Sequence, residues 1–174
     1  MSELSEIIRK RRSIRKFKAD PVPRELIDQV IGAGMYAASG RGLQAPVFIA
    51  VTDKAFRDEI SAENCRIGGW DAGFDPFYGA PAMVIVIAPK DIPTGIYDGS
   101  LAMGNMMLKA HELGLGSIWI HRAAEEFENG FGQKILEKAG LSGEYIGIAH
   151  LALGYKDCED PAVPERKPGR VFYI

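Results

Sequence analysis

Apolar residues along the chain follow two different periods. Near the start they recur at helical spacing. Leu4, Ile7 and Ile8 share one face after Ser2, a residue able to cap, which predicts a helix running to about Arg12. Leu26, Ile27, Val30 and Ile31 form the stripe of a second helix, which Pro23 can open and which ends near Ala37. Elsewhere the apolar residues are continuous. "VFIAVT" (47–52), "AMVIVIA" (82–88) and "EYIGIAHLALGY" (144–155) predict buried strands, and the absence of alternation in the second implies cover on both faces. "LGSIWIH" predicts a shorter strand, and the terminal "RVFYI" is strand-like.

Between these runs, "DKAFRDEISAEN" predicts an amphipathic helix with Asp53 as its cap. "TGIYDGSLAMGNMMLKAHELG" predicts a long helix with little polar face between Ser100 and Ala110. Such a helix belongs at a domain centre or a subunit interface. "EEFENGFGQKILEKAG" predicts one or two surface helices with a glycine break. Residues 65–81, "CRIGGWDAGFDPFYGAP", are irregular and aromatic. A loop of that length that is not disordered is a functional candidate. Repeats and composition shifts are absent, so residues 1–174 read as one α+β domain, a three-layer α/β/α sandwich around about five strands.

Composition, 47% hydrophobic and 25% charged, is that of an ordinary globular domain. No apolar run approaches the roughly 18 residues of a membrane span, so no membrane partner is expected. "MSELSEIIRKRR" lacks the apolar middle of a secretory signal, which makes a cytoplasmic location the expectation. Cys65 and Cys158 are far apart, and His111, His121 and His150 have no metal-ligand spacing. Free thiols and no structural metal are therefore expected. Phosphate-binding P-loop, Gly-x-Gly-x-x-Gly helix and Gly-x-Ser-x-Gly patterns are all missing.

Charge changes the picture at one place. The chain carries 21 Lys and Arg against 23 Asp and Glu, yet "RKRRSIRKFK" (9–18) concentrates cations where a helix gives way to extended chain. A nucleic-acid surface would need a spread basic face interleaved with aromatics, and only Phe17 interleaves here, so no nucleic-acid partner is expected. Two readings remain on the residues alone. One is a solvated helix end whose cations favour the macrodipole. The other is a cradle of guanidinium forks and a hydroxyl for one phosphate, from Arg11, Arg12, Ser13 and Arg15.

"RKRRSIRKFKADPVPRELIDQVIGAG" resembles the opening signature of the nitroreductase-like flavoprotein family, roughly Arg-Arg-Ser-x-Arg-x-Phe followed by Pro-Val, a helix and a loop. "AASGRGLQAPVFIAV", "DPFYGAPAMVIVIAPK", "GSLAMGNMMLKAHELGLGSIWI" and "LALGYKDCEDPAVPERKPGRVFYI" resemble later family segments in the same order. Ala38, Gly42 and the pair Ala45-Pro46 depart from the family's usual Pro, Asn and Pro-Trp, while Gln44 keeps its place.

The resemblance implies a mostly antiparallel sheet and FMN bound at a homodimer interface. It also implies an enzyme in which NADH or NADPH reduces the flavin at N5 and a nitroaromatic, quinone or similar acceptor reoxidises it by a ping-pong cycle. By position, Arg11, Arg12 and Ser13 would hold the phosphate with Arg166 and Lys167 from the tail, and Arg15 would face the pyrimidine edge. Ala38, Ser39, Gly40 and Gln44 would reach the flavin of the other subunit. His121 and Arg122 fall where backbone amides approach N5 and O4, and a proton-donor role for the His121 side chain is the weaker alternative to a structural one. Trp70, Tyr78 and Arg41 are candidates for the acceptor pocket, whereas Phe74 and Phe77 read first as core. The apolar central helix, and "RVFYI" pairing with a partner's sheet edge, are the expected dimer contacts. The alternative is a relative that binds or processes flavin, or resembles a reductive dehalogenase, without nitroreductase activity.

Overall fold

The computed structural model describes residues 2–174. Helix starts follow local chemistry. The Ser2 hydroxyl accepts the Ser5 amide ahead of α1 (Glu3–Lys10), and the Asp53 carboxylate accepts the Phe56 amide at 2.8 Å ahead of α3 (Lys54–Gly68). α2 (Arg24–Met35) follows Pro23, whose fixed φ of −57° suits a helix entry. α3 ends one turn later than its polar pattern suggested, at a left-handed Gly69. Cys65–Gly68 are thus helical rather than part of the irregular loop.

Four strands form one sheet in the order β1 (Val47–Val51), β2 (Ala82–Pro89), β4 (Tyr145–Gly154), β3 (Gly116–Ile120), with every pair antiparallel. Alternate residues of β2 feed two cores. Met83, Ile85 and Ile87 face a layer with α3 and α6 (Phe131–Ala139). Ala82, Val84, Val86 and Ala88 face α2 and the central helix α4 (Gly95–Glu112). All of these side chains are 2% exposed or less, and each large one contributes about 1.5–3 kcal/mol by leaving water. A register shift between Val86 and Ile87 inserts an extra β4 residue, a bulge that puts Ile148 and Ala149 in the same core.

The fifth strand expected from Arg170–Ile174 is not in the sheet. No free strand edge of the same chain receives it, and Val171 to Ile174 are exposed. Extra pairing comes instead from the segment after α1. Ser13 bridges Ser117 of β3, and Phe17 bridges Lys156 beyond β4. Among the described residues, no strand pairs with the outer edge of β1. The glycine break gives two helices, α5 (Ala123–Glu128) and α6, but α5 is not a surface helix, since Ala123 and Glu126 are fully buried.

Close backbone approach fixes where α5 begins. A Cβ on Gly147 of β4 would lie 2.0 Å from the Ala123 carbonyl oxygen. Gly99 of α4 is also tight, but its clash would be with the mobile end of Ile148. Gly147→Ala should therefore cost about 1–3 kcal/mol in urea denaturation, and Gly99→Ala clearly less, because a side-chain tip can turn away while a backbone carbonyl cannot.

Candidate functional site

The basic run divides. Lys10 pairs with Glu6 at 2.6 Å and Lys16 with Asp157 at 2.9 Å. Among the described residues, no carboxylate pairs with Arg11, Arg12 or Arg15. Arg11 and Arg12 are half-buried, and Arg11 Nη1 and Arg12 Nε are buried without a hydrogen-bond partner. Arg12 otherwise donates to the carbonyls of Arg11 and Arg9. Burial pushes the Arg11 pKa down, and so do the nearby Arg12 and Arg166 guanidiniums. The tail thus returns Arg166 to the N-terminal cations, and both it and Lys167 beside it are exposed. His111 belongs to the same neighbourhood. Burial lowers its pKa, with Lys156, Arg11 and Arg12 adding to the effect and Asp160 opposing it.

Charge of one sign, partly desolvated and short of acceptors, is unfavourable unless an anion completes it. The residues present therefore fit a phosphate dianion. Ser13 lies between the cations and β3, held where the Ile14 amide donates to the Ser117 carbonyl at 3.1 Å, and Arg15 is exposed.

The loop after α2 makes a second feature. Gly34, Ala38, Ser39, Gln44, Phe48 and Asp98 are among the residues lining a small cavity of about 100 Å³. Its anchor was not visible as a motif. Asp98, 4% exposed on α4, accepts the Gly40 amide at 3.0 Å and the Thr94 hydroxyl at 2.9 Å. Gly40 has no space for a side chain, since its Cβ would meet Thr94 Oγ1 at 2.5 Å. The Ser39 hydroxyl accepts the Gln44 amide at 3.0 Å.

A third feature joins the aromatic loop to the turn after β3. Trp70, Phe74 and Tyr78 stack edge to face, with centroids 5.1 and 6.1 Å apart, and the Arg122 guanidinium sits 4.3 Å from the Trp70 ring centroid. Trp70 and Phe74 are at the surface, so Phe74 is not core, while Phe77 is fully buried. His121 is exposed, and its carbonyl accepts Asn64 Nδ2 at 2.8 Å. Among the described residues, four non-glycine residues have positive φ: Arg41 (54°), Gln44 (50°), Tyr78 (55°) and Arg122 (82°). All four are candidates singled out from the sequence, and strained backbone of this kind clusters at functional sites.

The aromatic loop is tied down by Asp75. Burial alone would raise its pKa, but hydrogen bonds from Arg57, Ser61 and the Gly79 and Phe77 amides together hold it below the ordinary 3.8.

The nitroreductase family model matches residues 8–67 and 68–155. The chain belongs to the nitroreductase family. An NADPH-flavin oxidoreductase of Vibrio harveyi is 30% identical over 98% of this chain and 72% of its own length. A Methanothermobacter thermautotrophicus protein named for NADH dehydrogenase and NAD(P)H nitroreductase activity is 31% identical over 67% of this chain, which spans 60% of that relative. Among solved structures, a nitroreductase of Bacteroides fragilis with bound FMN superposes over the full length of both chains, with a TM-score of 0.89 and 26% identity.

A depressed carboxylate pKa contributes stability that is complete above the ordinary value and lost as pH falls through the folded one. Wild type should thus lose stability through Asp75 as pH falls below the ordinary 3.8 of its carboxyl. Asp75→Asn should be less stable at neutral pH and show a flatter acid limb, both read by urea denaturation across pH.

Proposed function

We propose that this protein is an FMN-dependent oxidoreductase that takes reducing equivalents from NADH or NADPH and passes them to a nitroaromatic, quinone or similar flat acceptor. The observation that carries the reading is the unpaired, partly buried Arg11–Arg12 pair with Arg166 brought back to it, in a chain of the nitroreductase family. When bound, FMN would supply the two-electron redox chemistry between NAD(P)H and the acceptor.

The chain's own residues bind and orient. Arg11, Arg12, Ser13, Arg166 and Lys167 would hold the phosphate, and Arg15 would place positive charge at the pyrimidine edge of the ring. The His121–Arg122 turn offers backbone amides. Trp70, Tyr78 and Arg41 form part of the wall for a flat acceptor.

The functional unit in this reading is a homodimer that places Ala38, Ser39, Gly40 and Gln44 of one copy at the flavin of the other. Its support is apolar surface left uncovered on adjacent elements: Met35 and Tyr36 at the end of α2, and Ile96, Tyr97 and Leu101 on α4, each more than half exposed. The open edge of β1 and the exposed Val171–Ile174 are complementary, a strand edge and a strand-like segment without a partner. No helix among the described residues is long and apolar enough to cross a membrane.

Purified protein should be yellow and bleach on addition of NADH or NADPH; a colourless protein that FMN cannot reconstitute would overturn the reading. Arg11→Ala should fold normally yet bind FMN more weakly by about 1.5–3 kcal/mol, read by titration of the apoprotein. Sedimentation should give a dimer, and removing residues 163–174 should shift it towards monomer; a monomeric intact chain would exclude the assembly.

A further inference from the structure

Three polar side chains lie at the centre of the molecule with no exposure at all: Asn64 on α3, Glu126 on α5 and His150 on β4. Glu126 Oε2 and His150 Nε2 are 2.9 Å apart, with no hydrogen bond formed between them. Asn64 Oδ1 and His150 Nδ1 also lack partners, and the Phe77 ring abuts the imidazole edge-on at 5.3 Å. Such a cluster is a poor way to stabilise a core, because apolar side chains of the same volume hold a fold at least as well. What the cluster does hold is a turn.

Asn64 Nδ2 donates both to Glu126 Oε1 at 3.1 Å and to the His121 carbonyl at 2.8 Å. The next residue, Arg122, is left-handed, and its carbonyl accepts the Glu126 amide at 3.1 Å. Glu126 therefore reaches the turn through its backbone and, by way of Asn64, through its carboxylate. The residue after that, Ala123, has its carbonyl lodged against Gly147 of β4, three positions before His150. Three consecutive residues are thus fixed from three elements, and the Arg122 amide is left without a backbone carbonyl acceptor among the described residues.

We propose that Asn64 and Glu126, the latter packed against His150, are positioning residues that hold the His121–Arg122 backbone in the geometry it presents to the flavin. This rests on the reading of the protein as an FMN enzyme. The network makes no contact with the phosphate-binding residues and reaches the acceptor wall only through Arg122 on Trp70, so it sets the reactivity of the bound cofactor rather than its retention. Asn64 is the pivot, because it alone links the buried carboxylate to the turn.

The test uses Asn64→Asp, which keeps the shape and removes the donor, with Asn64→Leu and Glu126→Gln beside it. In the holoenzyme, FMN content should stay at the wild-type value, while the flavin midpoint potential shifts and reduction by NAD(P)H slows at least ten-fold. A merely structural role would lower the melting temperature and leave the potential unmoved.

A second readout needs no cofactor. The chain has two tryptophans, and in a Trp119→Phe background the remaining Trp70 reports on the Arg122 guanidinium stacked over it. Arg122→Ala gives the emission of unstacked Trp70, and Asn64→Asp should move towards it. Folded Asn64→Asp with wild-type emission, or with wild-type potential, overturns the proposal. If the parent protein never takes up FMN, the functional reading fails, and the Trp70 emission still decides whether Asn64 fixes the turn.

Discussion

The pairing of β2 with β4 is the constraint from which the rest of the molecule follows. Eight residues of β2 are matched to β4 across a single bulge, and almost none of their surface meets water. A strand buried on both faces must hide every backbone polar group in its ladder and every side chain in a helix layer. That requirement places α4 and α2 on one side and α3, α5 and α6 on the other. It also sets where two polar features lie: the rim, where β3 and the chain around Ser13 and Lys156 meet, and the interior around His150, which β4 carries into a largely apolar layer.

What could be read from the sequence was whatever depends on near neighbours. The continuous apolar run of residues 82–88 announced β2, and the cap at Asp53 announced α3. The uneven charge of residues 9–18 pointed to an anion, because the net charge of the remainder made a diffuse basic surface a poor explanation. The family resemblance then supplied the far partner, Arg166, which lies near Arg11 only after folding. Phe77 and Phe74 could not be separated by composition, since burial of an irregular loop depends on what covers it.

Other features were illegible for a physical reason. Asp98 supports Gly40 across 58 residues, and Asn64 meets Glu126 across 62. Neither pair has a characteristic spacing, because each is made by tertiary packing and not by a turn of helix or a hairpin. The tail is the converse case. "RVFYI" has the right pattern for a strand, but a strand needs an edge to pair with, and within the chain the segment pairs with none.

The four left-handed residues have a consequence for how this protein would change under selection. At Arg41, Gln44, Tyr78 and Arg122 the backbone is in a region where an L-residue costs about 1 kcal/mol or more relative to glycine. Glycine would relieve that strain at the expense of a more flexible unfolded chain, and would delete a side chain from the candidate site. Selection for heat resistance alone would therefore press first on these positions, and a thermostable descendant that had kept all four would testify that its catalytic task had been under selection as well.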